Sequence, residues 1–221
     1  MKRKLVDLSH TVENGMITYK GFPAPIICDY LSREESRSHY SGGTEFNIGK
    51  IEMIANTGTY VDSPFHRFAD GIDLSELPLT SLADLEGIVV RAQKSGRSIS
   101  AKAFSGVDVK GKAVLVHTDW AWYWQTDQYF ENHTFLTKDA AEFLTEKGAA
   151  FVGIDTYNID DTNDGFRPVH TTLLGNRIPI CEHMRGFDAL PDQGFRFHAV
   201  PVKVMAMGTF PVRAYAILEK L

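Results

Sequence analysis

The residues Asn56-Thr57-Gly58-Thr59-Tyr60-Val61-Asp62-Ser63-Pro64-Phe65-His66 pack turn formers and candidate ligands into one short stretch. Alternation along extended backbone would put Asn56, Gly58, Tyr60 and Asp62 on one face of a strand, which Pro64 stops because it has no N–H to give a ladder. Gly58 would leave room above that face. The Asp62 carboxylate and the His66 imidazole stand four residues apart across the proline-bearing bend. Such a pair suits a metal ligand beside a general base. Further along, His170 and Glu182 flank the Leu173-Leu174-Gly175-Asn176 turn and can reach a cavity shared with Asp62, although spacing alone does not connect the three. Histidine, aspartate and glutamate are the nitrogen and oxygen ligands of catalytic zinc, and suit manganese or iron where carboxylates dominate. Each one singly reads first as a satisfied structural group.

Trp120-Ala121-Trp122-Tyr123-Trp124 sets tryptophans at alternate positions, so in extended form they would line one surface. That surface is core packing or an oligomer interface on the ordinary account, and an apolar wall for a planar substrate on the functional one. On the second account Trp120 and Trp122 join Tyr60 and Asn56 as substrate-binding candidates. His10, His39, His117, His133, His183 and His198 have no partner identifiable from spacing and read as structural or surface groups.

These residues need a scaffold, and its elements follow from the apolar pattern. Leu5 to Val12 is strand-like, and a loop through Gly21 to Pro25 leads to a second extended piece, Ile26 to Tyr30. The polar run Ser32 to Gly43 reads as a solvated loop or hairpin tip, and Phe46 to Ile54 as a strand entering the opening stretch. Pro78 to Gly87 reads as a short helical piece, Ile88 to Ala92 as a strand, Ser100 to Phe104 as a capped helical turn and Ala113 to His117 as a buried strand. Thr137 opens the clearest helix, Lys138 to Lys147, with Ala140, Phe143 and Leu144 as its apolar stripe and Gly148 as its stop. Ala149 to Ile154 follows as a strand, so residues 113–154 form a βαβ unit and the class is α/β. Ile178 to Cys181, Ala199 to Met207 and Val212 to Leu218 make the last third strand-rich.

The chain has 221 residues, 43% of them hydrophobic, which suffices for one sizeable core and a single domain spanning 1–221. A net charge of −5 supplies no basic surface and excludes nucleic acid as a partner. Lys2-Arg3-Lys4 meets Asp7 and His10 before any apolar run long enough for a signal peptide, and no later segment approaches the ~20 apolar residues of a membrane span. Cys28 and Cys181 read as buried and reduced, and a cytoplasmic location with no membrane partner is expected.

The opening stretch resembles the signature of the cyclase family of metal-dependent hydrolases, of kynurenine formamidase and isatin hydrolase type, His-x-Gly-Thr-His-x-Asp-x-Pro-x-His. The match falls on Gly58, Thr59, Asp62, Pro64 and His66. It extends in order through Val6 to His10, Trp120 to Tyr129 with His133, Val152 to Thr156, His170 to Glu182 and Pro211 to Ala214. The resemblance implies a single swivelling β/β/α domain with a mixed sheet, assembled as a homodimer or homotetramer, that hydrolyses a small amide, formamide, lactam or lactone. It places Asp62, His170 and Glu182 on metal-ligand positions and His66 on the general-base position. Asn56 and Tyr60 depart from it, standing where the pattern has histidines. An amide oxygen is a poorer zinc ligand than imidazole, and a phenol with a pKa near ~10 rarely ionises to ligate. Half of a two-metal arrangement is therefore lost. Three chemistries stay open: one divalent ion, manganese, zinc or magnesium, on Asp62, His170 and Glu182; a metal-free small-molecule binder; or metal-free chemistry on His66 and Tyr60.

Overall fold

The structure, a computed structural model, describes residues 3–218. Its strands are β1 (Lys4–Asp7), β2 (Ile26–Leu31), β3 (Ile48–Glu52), β4 (Tyr60–Asp62), β5 (Leu85–Arg91), β6 (Ser98–Ile99), β7 (Ala113–His117), β8 (Phe135–Leu136), β9 (Phe151–Ile154), β10 (Ile180–Glu182), β11 (Phe195–His198), β12 (Thr209–Pro211) and β13 (Tyr215–Leu218). Its α-helices are α1 (Arg33–Ser36), α2 (Lys138–Glu146) and α3 (Pro168–Gly175). One mixed sheet runs β1-β13-β11-β5-β7-β9-β10-β4-β12. The middle strands β5, β7, β9 and β10 are parallel neighbours, and antiparallel strands extend the sheet on both sides.

β7 and β9 are buried along their whole length, as apolar parallel strands must be when both faces are covered. Alternation then splits the core. Val114, Val116, Val152 and Ile154 pack against Ala140, Ala141 and Leu144 of α2 and Val169 and Leu173 of α3. Leu115 and Phe151 face the opposite side, with Leu8, Met184, Phe195 and Phe197. The expected βαβ unit is β7-α2-β9, and the α/β class with a mixed sheet is what the chain adopts. No helix of the described residues is long and apolar enough to cross a membrane.

The structure departs from the expected elements at several places. Pro78 to Gly87 holds only a 3-10 turn, Leu79–Ser81; Asp84 adopts φ 56° and the chain enters β5 at Leu85, so Leu82 and Leu85 reach the core from a turn rather than a helix. Ala199 to Met207 forms no strand: Pro201 removes a donor, Ala206 has φ 58°, and the strand lies earlier at Phe195–His198. Trp120 to Trp124 is not extended. Asp119 at φ 65° starts a 3-10 turn over Trp120–Tyr123, so the three indoles diverge. Trp120 Nε1 donates to the Tyr129 carbonyl at 3.0 Å, Trp122 is exposed, and Trp124 stacks on His10 at 4.0 Å. Cys181 is buried as expected, but Cys28 is exposed on β2.

Among the described residues β2 and β3 pair only with each other. Their connection, expected as a solvated tip, contains α1, whose Ser32 and Glu35 make a reciprocal capping box. Ile26, Ile27, Tyr30, Ile48 and Ile51 on this ribbon are all exposed.

Candidate active site

Strand register gathers the polar side chains on one face of the sheet. Tyr60 lies opposite Glu182 and Asp62 opposite Ile180 across the β4–β10 pair, while Thr209 of β12 lies opposite Asp62 on the other edge. Directly opposed residues share a face, so Tyr60, Asp62, Glu182 and Thr209 point the same way. The expected alternation covers only Tyr60 and Asp62, because Gly58 turns the chain at φ 67° just before β4. The 3-10 turn Pro64–His66 then brings His66 back over the strand end, and α3 carries His170 to the same place.

Thr209 joins Asp62 to His66. Its Oγ1 lies 2.5 Å from Asp62 Oδ1 and 2.8 Å from His66 Nδ1. The hydroxyl has one hydrogen and the carboxylate can only accept, so Oγ1 donates to Asp62 and accepts from His66 Nδ1–H. That fixes the neutral imidazole as the tautomer whose Nε2 keeps its lone pair. Gly208 makes the approach of β12 possible: a Cβ there would stand 2.5 Å from His66 Cα. Gly208→Ala is therefore expected to cost about 1–3 kcal/mol of unfolding free energy in a urea titration, since backbone rather than a flexible side chain must give way.

His170 is held from behind. Asp160 accepts from the backbone N–H of Val169 at 2.7 Å and of His170 at 3.0 Å, and from His170 Nδ1 at 2.6 Å. His170 Nε2 is thereby aimed at Asp62 Oδ2, 3.6 Å away, and Glu182 Oε1, 3.7 Å away. Burial opposes a charged imidazole, but Glu182, Asp160 and Asp62 outweigh it and raise the His170 pKa to about 10.

Tyr60 occupies the other side. It is fully buried, and burial together with the Glu182 charge pushes its pKa well above the ordinary tyrosine value, so it stays a neutral phenol. Tyr60 donates to Glu182 Oε2 at 2.5 Å, and Tyr19 Oη lies 2.5 Å from Tyr60 Oη. Glu182 Oε1 accepts from the Ile159 N–H at 2.5 Å. Both Glu182 oxygens are thus occupied by donors, and burial raises the Glu182 pKa.

The residues fit a cation. Asp62, Asp160 and Glu182 are each no more than 1% exposed, and among the described residues His170 is the one cation directly between them. Asp62 Oδ2 is buried with no hydrogen-bond partner among the described residues, a costly arrangement for a carboxylate oxygen. Ligand atoms of Asp62, His66 and His170 lie within 4.8 Å of one another. A carboxylate behind a histidine is also the usual way of orienting a metal-binding imidazole.

Residues 6–161 match the family model Cyclase. The chain belongs to the Cyclase family. Across the Cyclase family, the kynurenine formamidase of Bacillus anthracis is 27% identical over 219 residues, covering 96% of each chain. That of Bacillus cereus is 28% identical over 211 residues, covering 95% of each. Among solved structures, a potential metal-dependent hydrolase with cyclase activity superposes with TM-score 0.82 at 23% identity over 100% of both chains. An isatin hydrolase bound to the product analogue thioisatinate superposes with TM-score 0.82 at 21% identity, over 99% of this chain and 93% of that one. The fold of this Cyclase-family chain is therefore that of these proteins.

A cavity of about 390 Å³ is lined by Asn56, Tyr60, His66, His170 and Glu182, with Asp62 beneath. Trp120 and Trp122 do not line it; they border a separate cavity with Gln93 and Arg97. Sequence spacing gives no sign of Thr209, Asp160 or Tyr19. Thr209 meets His66 from 143 positions away, and Asp160 caps α3 from outside the residues that normally cap a helix. His183, read as structural, packs between Tyr60, Trp124 and Tyr129 and is held neutral by burial.

Proposed function

We propose that this chain is a metal-dependent hydrolase of a small amide, formamide, lactam or lactone, with His66 as its general base. The observation that carries this reading is Asp62 Oδ2, buried with no hydrogen-bond partner among the described residues and facing His170 Nε2 at 3.6 Å. Asp62 and His170 would hold one divalent ion, with Glu182 Oε1 beside the same imidazole nitrogen. The relatives' names as kynurenine formamidases support amide hydrolysis. A divalent ion at this place supplies Lewis-acid polarisation of a carbonyl and makes water more acidic.

The chain's own groups do the rest. His66 Nε2 accepts a proton from the attacking water, its ring held by Thr209, and returns that proton to the leaving nitrogen or oxygen as the C–N or C–O bond breaks. Neutral Tyr60 and Tyr19 keep Glu182 in place and give the cavity a wall that holds no charge of its own. Asn56, at the cavity rim, offers an amide to the substrate's polar groups. The metal-free binder left open by the sequence is not favoured, because it leaves the excess of buried carboxylates uncompensated.

Thr209→Val keeps the shape of the side chain but breaks both hydrogen bonds. It is expected to lower kcat by about 10–100-fold, and Thr209→Ser to restore most of it. Equal rates for Val and Ser variants, measured on N-formylaniline, would remove Thr209 from the account.

Assembly as a homodimer belongs to the same proposal. An isolated two-stranded ribbon is marginal in water, and the exposed apolar side chains of β2, β3 and their connection, Tyr40 and Phe46 included, offer on the order of 800 Å², the half-interface of a stable complex. A second copy related by a twofold axis covers both ribbons at once. The double substitution Tyr30→Glu with Ile51→Glu is expected to give monomers by light scattering where the parent gives dimers; a monomeric parent would contradict it.

A further inference from the structure

The rim of the active-site cavity carries two guanidinium groups, from Arg67 and Arg167. Neither has a carboxylate within 4.0 Å among the described residues; Arg33, Arg177 and Arg185 share that property, while Arg37, Arg91, Arg97, Arg196 and Arg213 each pair with an aspartate or glutamate. What sets Arg67 and Arg167 apart is that both line this cavity. Their positions are set by neutral partners. Arg67 Nε donates to Thr171 Oγ1 at 3.1 Å, and Arg167 Nη1 donates to the Asp161 backbone carbonyl at 3.1 Å. Thr171 N–H in turn donates to the Arg167 carbonyl at 3.0 Å, so both arginines are anchored on the first turn of α3. Arg167 holds φ 49°, a left-handed conformation that a non-glycine residue keeps only where the surroundings enforce it.

A protein of net charge −5 with buried carboxylates beneath this cavity would repel an anion arriving unaided. Two uncompensated guanidinium groups at the entrance reverse that. The backbone donors at the start of α3 are already taken by Asp160, which leaves the guanidinium forks to read a planar carboxylate. Tyr19 and Phe22, with ring centroids 5.8 Å apart, supply apolar lining beside them.

We infer that Arg67 and Arg167 bind a carboxylate on the substrate, so that the substrate class is small amides or lactams carrying a carboxylate and an apolar or aromatic group in addition to the scissile carbonyl. The inference rests on the hydrolase reading of the same cavity, but its binding half can be tested without turnover. Benzoate and the isosteric neutral benzamide are titrated calorimetrically into the metal-loaded parent and into Arg67→Gln, Arg167→Gln and the double variant. Benzoate binds the parent at least about tenfold more tightly than benzamide, each single substitution costs about tenfold for benzoate, and Arg→Lys at either place recovers part of the loss. Equal affinity of the parent for the two ligands overturns the inference. So does benzoate affinity that survives in the double variant, which would mean that the ion or another group holds the anion.

A second arm separates this inference from the reading it rests on. N-formylphenylalanine and N-formylphenylalaninamide are compared as substrates, and the acid is expected to have the higher kcat/KM in the parent and to lose that advantage in the double variant. Hydrolysis of both with no preference for the acid overturns the arginine assignment and leaves the hydrolase standing. Tight, arginine-dependent benzoate binding in a protein that hydrolyses neither overturns the hydrolase and leaves the carboxylate site standing.

Discussion

His66→Gln is expected to lower kcat by about 10²–10⁴-fold while the protein keeps its ion. The expectation follows from how the ring is held. His66 Nδ1 is committed to Thr209, whose own hydrogen goes to Asp62, so Nε2 is left with a lone pair. The ring is about one-third exposed, with room for water beside it, unlike the deeply buried His170. A base in that position acts on the reacting proton, and its removal costs rate rather than fold or metal. Glutamine at this position can still hydrogen-bond Thr209 but cannot take up a proton at neutral pH. The check is kcat beside metal content by elemental analysis on the same preparation. If the variant loses the ion as well as the activity, His66 is a ligand, as its place in the Asp62, His66 and His170 group allows, and the base must be found elsewhere.

His170→Ala is expected to abolish both metal binding and activity, with the ion falling below about a tenth of an equivalent. His170 carries a further signature. Its pKa stands at about 10 in the metal-free protein because burial is overcome by Glu182, Asp160 and Asp62. A metal ion takes only the deprotonated Nε2. Below pH 10 the free protein therefore holds a proton that the loaded protein does not, so ion affinity rises with pH, by about tenfold per unit from this group alone, and flattens as pH passes about 10. Manganese titrated at pH 7 in two buffers of different ionisation enthalpy should report about one proton released per ion. Binding without proton release would place the ion away from His170.

Much of the frame is legible in the sequence because it is local. Ala113 to His117 and Ala149 to Ile154 are apolar runs bounded by turn formers, and the helix between them has a cap, a stripe and a glycine stop; β7, α2 and β9 fall where those signals lie. The errors arise where a pattern of residue types is consistent with two local conformations. Trp120 to Trp124 alternates like a strand, but Asp119 and Asp155 draw it into a turn through a hydrogen bond to a side chain thirty-six positions away. Ala199 to Met207 has strand composition, yet Pro201 and the left-handed Ala206 prevent a ladder.

The site divides in the same way. Asp62 and His66 are readable as a pair because one bend links them, and the family pattern connects His170 and Glu182 to them. What Tyr60 does is not readable from its type. A phenol next to a carboxylate could ligate if ionised, and only full burial beside Glu182 makes it a neutral donor that takes up one Glu182 oxygen. Thr209 and Asp160 matter through the atoms they hold in place, and both contacts are created by sheet register and helix docking rather than by spacing.

The central claim is that one divalent ion sits between Asp62 and His170. Anomalous diffraction from crystals of protein purified without chelator and loaded with manganese tests it most directly. One peak per chain within bonding distance of Asp62 Oδ2 and His170 Nε2, with none between Asn56 and Tyr60, is the predicted result. A site without a peak, or a second ion beside Tyr60, would contradict it.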